Sequence, residues 1–173
     1  ALVSVLFYLV YVAGLFHLAL LVSGPRSALL AGLYAAFSPA FVTRYSLSND
    51  GNYVEVLALG TWALWLAARV PRENDERARL AFAAGLLLGL GFWCHILAVV
   101  YVAALVVLLV LLRAVRSLLA LGLGWALGYG PGWLWNASND WLSFHYLLPG
   151  EARAGETGEA GVAAVTAGLG EKL

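Results

Sequence analysis

Three stretches of this chain carry polar and ionisable residues of the kinds that handle phosphate or sugar. The first runs from Thr43 through Arg44, Ser48, Asn49, Asp50 and Gly51 to Tyr53, with Glu55 just beyond. An arginine fork there can hold a phosphate through two parallel hydrogen bonds, or simply anchor among headgroups. Asp50 has two readings, a ligand-binding acid or an N-terminal cap for the helix that follows; Ser48 and Asn49 offer the same cap, and Gly51 permits a tight turn. Glu55 stands two residues inside an apolar run. A carboxylate in that setting is a functional candidate by default, the plain alternative being a first-turn acid that complements the helix dipole.

The second stretch is Phe92, Trp93, Cys94 and His95. His95 suits proton transfer or a phosphate contact, or else a hydrogen bond to a nearby carbonyl. Trp93 reads as a membrane-interface residue. Cys94 and His95 supply two potential metal ligands where a zinc site needs three or four, so a metal centre is not expected from them. The third stretch places Asn136, Ser138, Asn139, Asp140 and His145 among Trp133, Trp135, Trp141, Phe144 and Tyr146. Aromatic faces interleaved with Asn, Asp and His form a sugar-binding surface or, more plainly, an aromatic belt with turn residues.

The elements that position these stretches are long apolar runs. Hydrophobic residues make up 62% of the 173 positions, charged residues 12%, and mean hydropathy is +0.85. A soluble chain of this size has no exterior that tolerates such a composition. Runs long enough to cross a membrane, with backbone groups paired internally as helix, are the expectation. The predicted fold is all-α: a polytopic transmembrane bundle of about six helices, with spans near 1–22, 28–43, 53–69, 80–92, 97–112 and 118–135, and an exterior loop rich in aromatics. The fourth run is short. A single helix over 80–112 is disfavoured because it would put Trp93, Cys94 and His95 in mid-bilayer. Gly85, Gly89 and Gly91 suit close helix packing, and Gly130, Pro131 and Gly132 should break or kink the last span. His17, inside the first run, is expected to bond between helices.

Arginine distribution sets an orientation. The gaps after the first, third and fifth runs hold Arg26, then Arg69, Arg72, Arg77 and Arg79, then Arg113 and Arg116; the gaps between them hold Arg44 alone. The positive-inside rule makes the arginine-bearing turns cytoplasmic and puts residues 44–52, 93–96 and 136–173 outside. No basic patch interleaved with aromatics points to nucleic acid. With one cysteine the chain forms no internal disulfide.

Four segments, taken in order, resemble one region of the C-superfamily membrane glycosyltransferases, and more narrowly the bacterial dolichyl-phosphate-mannose protein mannosyltransferase-like group. They are AAFSPAFVTRYS at 35–46, GNYVEVLALGT at 51–61, AGLLLGLGFWCH at 84–95 and LGYGPGWLWN at 127–136, with the charged turn between Arg69 and Arg79 among them. The resemblance implies residues 1–150 as part of a glycosyltransferase membrane module in a bacterial inner membrane. Residues 151–173 would open an exterior loop or a juxtamembrane helix. It further implies a polyprenyl-phosphate-linked sugar as donor, a glycan, lipid or protein as acceptor, and membrane lipid as surroundings. A divalent metal stays open, with no ligand cluster to argue for it. The general base of that group is an acid in an exterior loop that would lie upstream of Ala1, so the chain is expected to be an internal piece, inactive alone, and no acid here is given that role. The substrate-binding candidates are Arg44, Asp50, Glu55, His95, Asn136, Asp140 and His145. A transporter or a non-catalytic scaffold subunit are the rival classes; a transporter would place its ionisable groups nearer the bilayer midplane.

Overall fold

The apolar runs do become helices. The computed structural model describes residues 2–37, 52–71 and 76–145, and among them every regular element is helical. In chain order these are α1 (Leu2–Ser23), α2 (Pro25–Ala36), α3 (Tyr53–Arg69), α4 (Arg77–Cys94), α5 (Ala98–Leu111), α6 (Val115–Gly128), α7 (Gly130–Ser138) and α8 (Leu142–His145). Gly24 turns the chain between α1 and α2 at φ 86°, where a side chain would be strained, and Pro25 opens α2 at the position where a missing N–H costs nothing.

The first structural unit comprises residues 1–132. Within it α1 packs on α2 and α3, α3 on α4, and α4 most extensively on α6, while α5 touches α3, α4 and α6. The α4–α6 interface is made of backbone. Gly85 lies against the Leu121 carbonyl, Gly89 against that of Trp125, Gly124 against that of Phe82 and Gly128 against that of Leu86; a Cβ at any of the four would collide with main chain. Each helix thus carries a pair of glycines four residues apart on the shared face, which lets the axes approach far closer than side chains allow. Phe82 pairs with Gly124 and Leu86 with Gly128, so the two helices run parallel. Gly91, by contrast, meets Ala98 and Leu59 at ordinary contact distances of 3.5 and 3.7 Å.

Alanines such as Ala28, Ala35, Ala58, Ala63, Ala67, Ala81 and Ala84 are buried together with Leu88, Leu105, Leu109 and Leu121, while many large apolar residues, Leu2, Leu6, Val100, Leu111, Leu119 and Leu134 among them, face outward. So many exposed large apolar side chains, around a core rich in small residues, suit a bundle that meets hydrocarbon. Together with their hydropathy this makes the chain a membrane protein.

The span count needs correction. Among the described residues only α1 and α4 are long and apolar enough to cross a membrane. α5 and α6, at 14 residues each, rise about 21 Å, and α3, at 17 residues, carries buried Glu55 in its first turn. A six-span bundle is therefore not established by these helices. The fourth run is longer than expected, 18 residues in place of 13, because helix continues outward to Arg77 and Cys94. The break before the fifth run forms as expected: His95 is extended (φ −162°, ψ 143°) and its ring accepts the Leu97 N–H at 3.1 Å, so one helix over 80–112 does not form. The last span ends early. α6 closes at Gly128, and α7 restarts at Gly130 and passes through Asn136 to Ser138, where a loop was expected.

The second unit begins at Trp133. Its described part is tied around Asn136, which is 1% exposed. The Asn136 side-chain oxygen accepts the Ser143 N–H at 3.2 Å, and its carbonyl accepts those of Asn139 and Trp141. Trp133, Trp141 and Phe144 pack on one another, with ring centroids 6.0 to 6.4 Å apart. Asp140 and Trp141 turn the chain through positive φ.

Candidate functional site

The polar residues that could act together collect at one end of the first unit, where α3 begins and α4 ends. Asn52 is the N-cap residue of α3 at φ 54°, ψ 28°, and its side chain makes no capping bond. Instead the Asn52 amide donates across the helix pair to the Cys94 carbonyl at 3.4 Å, a long contact that ties the start of α3 to the end of α4. Ser48, Asn49 and Asp50, the caps expected from sequence, lie outside the described residues. The Tyr53 ring lies over His95 with centroids 4.8 Å apart. Glu55, third residue of α3, is 8% exposed and near enough to interact electrostatically with the Cys94 thiol.

His95 has a defined orientation. Since Nδ1 accepts the Leu97 N–H, the neutral ring carries its proton on Nε2, which makes Nε2 the donor. The same bond closes the turn into α5. On the side of α4 that faces α6, Phe92 meets Trp125 and Tyr129 edge-on at 5.4 and 5.2 Å, and Trp125 stacks on Tyr129 at 5.7 Å. The α3–α4 corner itself gathers a buried acid, a thiol, an oriented imidazole and an amide. The set can donate to a phosphate or a hydroxyl from His95 and accept from a hydroxyl at Glu55. Among the described residues no three His, Cys, Asp or Glu side chains gather as metal ligands would.

Of the residues singled out from sequence, Glu55 and His95 come together here. Arg44 and Asp50 lie outside the described residues, as do Tyr146 and 151–173. Asn136, Asp140 and the backbone of His145 belong to the second unit, where Asn136 is committed to folding its own segment and Asp140 is exposed in a turn. His17, expected to bond between helices, makes a ring contact with Trp62 on α3, centroids 5.7 Å apart. Sequence reasoning missed Asn52 and Tyr53 as partners of the Cys94–His95 corner. An Asn directly before an apolar run reads as a cap, and nothing in the local sequence says its amide will cross to another helix.

The opposite end of the unit is basic. From Asn52 to Arg69 the chain climbs about 25 Å along α3, and α4 returns antiparallel, since Asn52 meets Cys94 while Leu59 meets Gly91. Arg77, Arg113 and Arg116 line one cavity there.

Among the described residues these features define a helical membrane bundle with apolar flanks, one arginine-bearing end, and a compact polar cluster at the other. The chain belongs to the dolichyl-phosphate-mannose-protein mannosyltransferase family, whose model matches residues 1–130. The match and the first structural unit are almost coextensive, so the helices that build the cluster are family helices. No curated protein and no solved structure matches the chain. The family's description implies in general terms a lipid-linked sugar donor and a glycan or protein acceptor.

Proposed function

We propose that this chain forms part of an integral-membrane glycosyltransferase, most simply a mannosyltransferase, that moves a sugar from a polyprenyl-phosphate carrier to a lipid, glycan or protein acceptor. The proposed setting is a bacterial inner membrane crossed several times, with the start of α3 and the end of α4 on the exterior face together with the segments 44–52 and 136–173. The observation that carries the reading is the grouping of Glu55, Cys94 and His95 at the end remote from the arginines, in a chain of this family.

The chemistry fits that end of the bundle. A carrier phosphate rests at headgroup depth, which is where helix ends lie. Transfer breaks the bond between the anomeric carbon and a phosphate oxygen, and negative charge returns to the lipid phosphate as the acceptor oxygen attacks. A donor fixed at that oxygen lowers the barrier, and His95 Nε2 is such a donor. Glu55 is proposed to bind sugar hydroxyls. Arg44, Asp50, Asn136, Asp140 and His145 remain proposed substrate contacts. The acceptor's general base is not assigned to any of these residues.

A photoreactive analogue of polyprenyl-phosphate-mannose tests the reading on the purified chain without requiring turnover. The expected outcome is crosslinking to peptides containing residues 52–55 and 92–97, weakened by His95→Ala and competed by unlabelled carrier. Crosslinks confined to the arginine-bearing end, or an absence of competition, would overturn it.

A further inference from the structure

We infer that the arginine-bearing end of the first unit holds a second, separate site for a phosphate-bearing anion, formed by Arg77, Arg113, Arg116 and Ser117 between the N-termini of α4 and α6. This goes beyond sugar transfer and does not depend on it.

The cavity measures about 420 Å³ and is lined by Arg77, Ala78, Arg113, Ala114, Val115, Arg116 and Ser117. That volume falls in the ~300–1,000 Å³ range of small-ligand sites. Three arginines border it, and among the described lining residues none is acidic. The Nε of Arg77 is buried and has no hydrogen-bond partner. A buried guanidinium donor without a partner is costly unless something fills the place of an acceptor. Ser117, which also lines the cavity, is only 3% exposed.

Helix geometry adds to the charge. Arg77 is the first residue of α4 and Val115 the first of α6. The glycine seam holds these two helices parallel, so both N-termini open on the same cavity. The positive ends of their dipoles favour an anion there. Arginine forks match the oxygens of phosphate in a way that a lone ammonium does not. The arrangement suits a phosphodiester headgroup reached from the bilayer or a free phosphate reached from water; in both the recognised group is the phosphate.

The test uses the full chain in nanodiscs with equal amounts of phosphatidylglycerol and phosphatidylcholine, followed by native mass spectrometry of the released protein. Preferential retention of phosphatidylglycerol is expected. Arg113→Gln with Arg116→Gln should lower retention by about tenfold or more. Arg26→Gln, outside the cavity, should leave it unchanged and controls for general charge. Arg113→Lys with Arg116→Lys keeps the charge and should recover part of the binding, which separates loss of the site from loss of the fold. Added inorganic phosphate distinguishes the sources: displacement of the lipid assigns a site for phosphate as such, and persistence of the lipid assigns a headgroup site. Equal retention of the two lipids by the unaltered chain, or a Gln variant that binds like it, would overturn the proposal.

Discussion

The α4–α6 and α1–α3 interfaces both rely on glycine, but in different ways. Between α4 and α6 the four glycines face main-chain carbonyls. Between α1 and α3, Gly14 faces the edge of the Trp62 ring, 2.9 Å from a would-be Cβ to Nε1 and 3.3 Å to the Thr61 methyl. Trp62 is itself tied to α1, donating to the Val10 carbonyl at 3.0 Å. Backbone cannot move without moving a helix, whereas an indole can tilt. The first interface therefore fixes where α4 and α6 lie, and with them both the Cys94–His95 corner and the arginine cavity. The second leaves α1, whose span is only 6% buried, as an outer helix held by side chains.

The largest expected effect comes from breaking the rigid interface. Gly124→Ala or Gly85→Ala should push α4 and α6 apart, at about 3 kcal/mol or more, at the upper end of overpacking penalties. Unfolding of the detergent-solubilised chain, followed by helical circular dichroism during titration with a denaturing detergent, reads this directly. Both ends of the bundle should suffer together, so carrier crosslinking at 92–97 and phosphatidylglycerol retention should fall in the same variant. Normal stability in Gly124→Ala would mean that the two helices do not meet through their backbones.

A smaller effect is expected at the softer interface. Gly14→Ala meets only side chains, so a shift of the Trp62 ring by a few tenths of an ångström relieves most of the clash. The expected loss is about 1–2 kcal/mol, partly offset by the gain in helix propensity on replacing glycine. Tryptophan fluorescence should report the ring's displacement, while phosphatidylglycerol retention stays unchanged. A loss as large as that of Gly124→Ala would erase the distinction between the two interfaces.

How much of this was legible in the sequence depends on whether the signal was local. The break at His95 was readable because a continuous helix would have buried Trp93, Cys94 and His95. The arginines marked one class of turn, and the structure brings Arg77, Arg113 and Arg116 to a single cavity. Gly85 and Gly89 announced close packing, but their partners Gly124 and Gly128 read only as glycines within helices, since hydropathy does not encode which faces meet. For the same reason the sixth run was carried to 135, although Tyr129 ends α6 where its ring is needed against Phe92 and Trp125. Asn136 looked like the first residue of a polar loop, yet it is buried at 1% exposure as the tie of its own unit. In the candidate site, Glu55 and His95 were visible as ionisable residues at helix ends. Asn52 and Tyr53 were not, because their roles arise only when α3 and α4 are side by side.

The smallest expected effect serves as the internal standard for the comparison. Gly122 lies on α6 two residues before Gly124, and a Cβ there would meet nothing within 4 Å. Gly122→Ala should therefore cost no packing, and it removes the backbone freedom that makes glycine a poor helix residue, a gain of up to about 1 kcal/mol in aqueous scales. Measured in the same denaturing titration, the variant should equal or exceed the parent chain in stability and leave both binding readouts untouched. If Gly122→Ala were instead as damaging as Gly124→Ala, the harm would follow from losing any glycine in α6. The cause would then be helix flexibility, and the backbone contact between α4 and α6 would no longer explain how the two ends of the bundle are held in place.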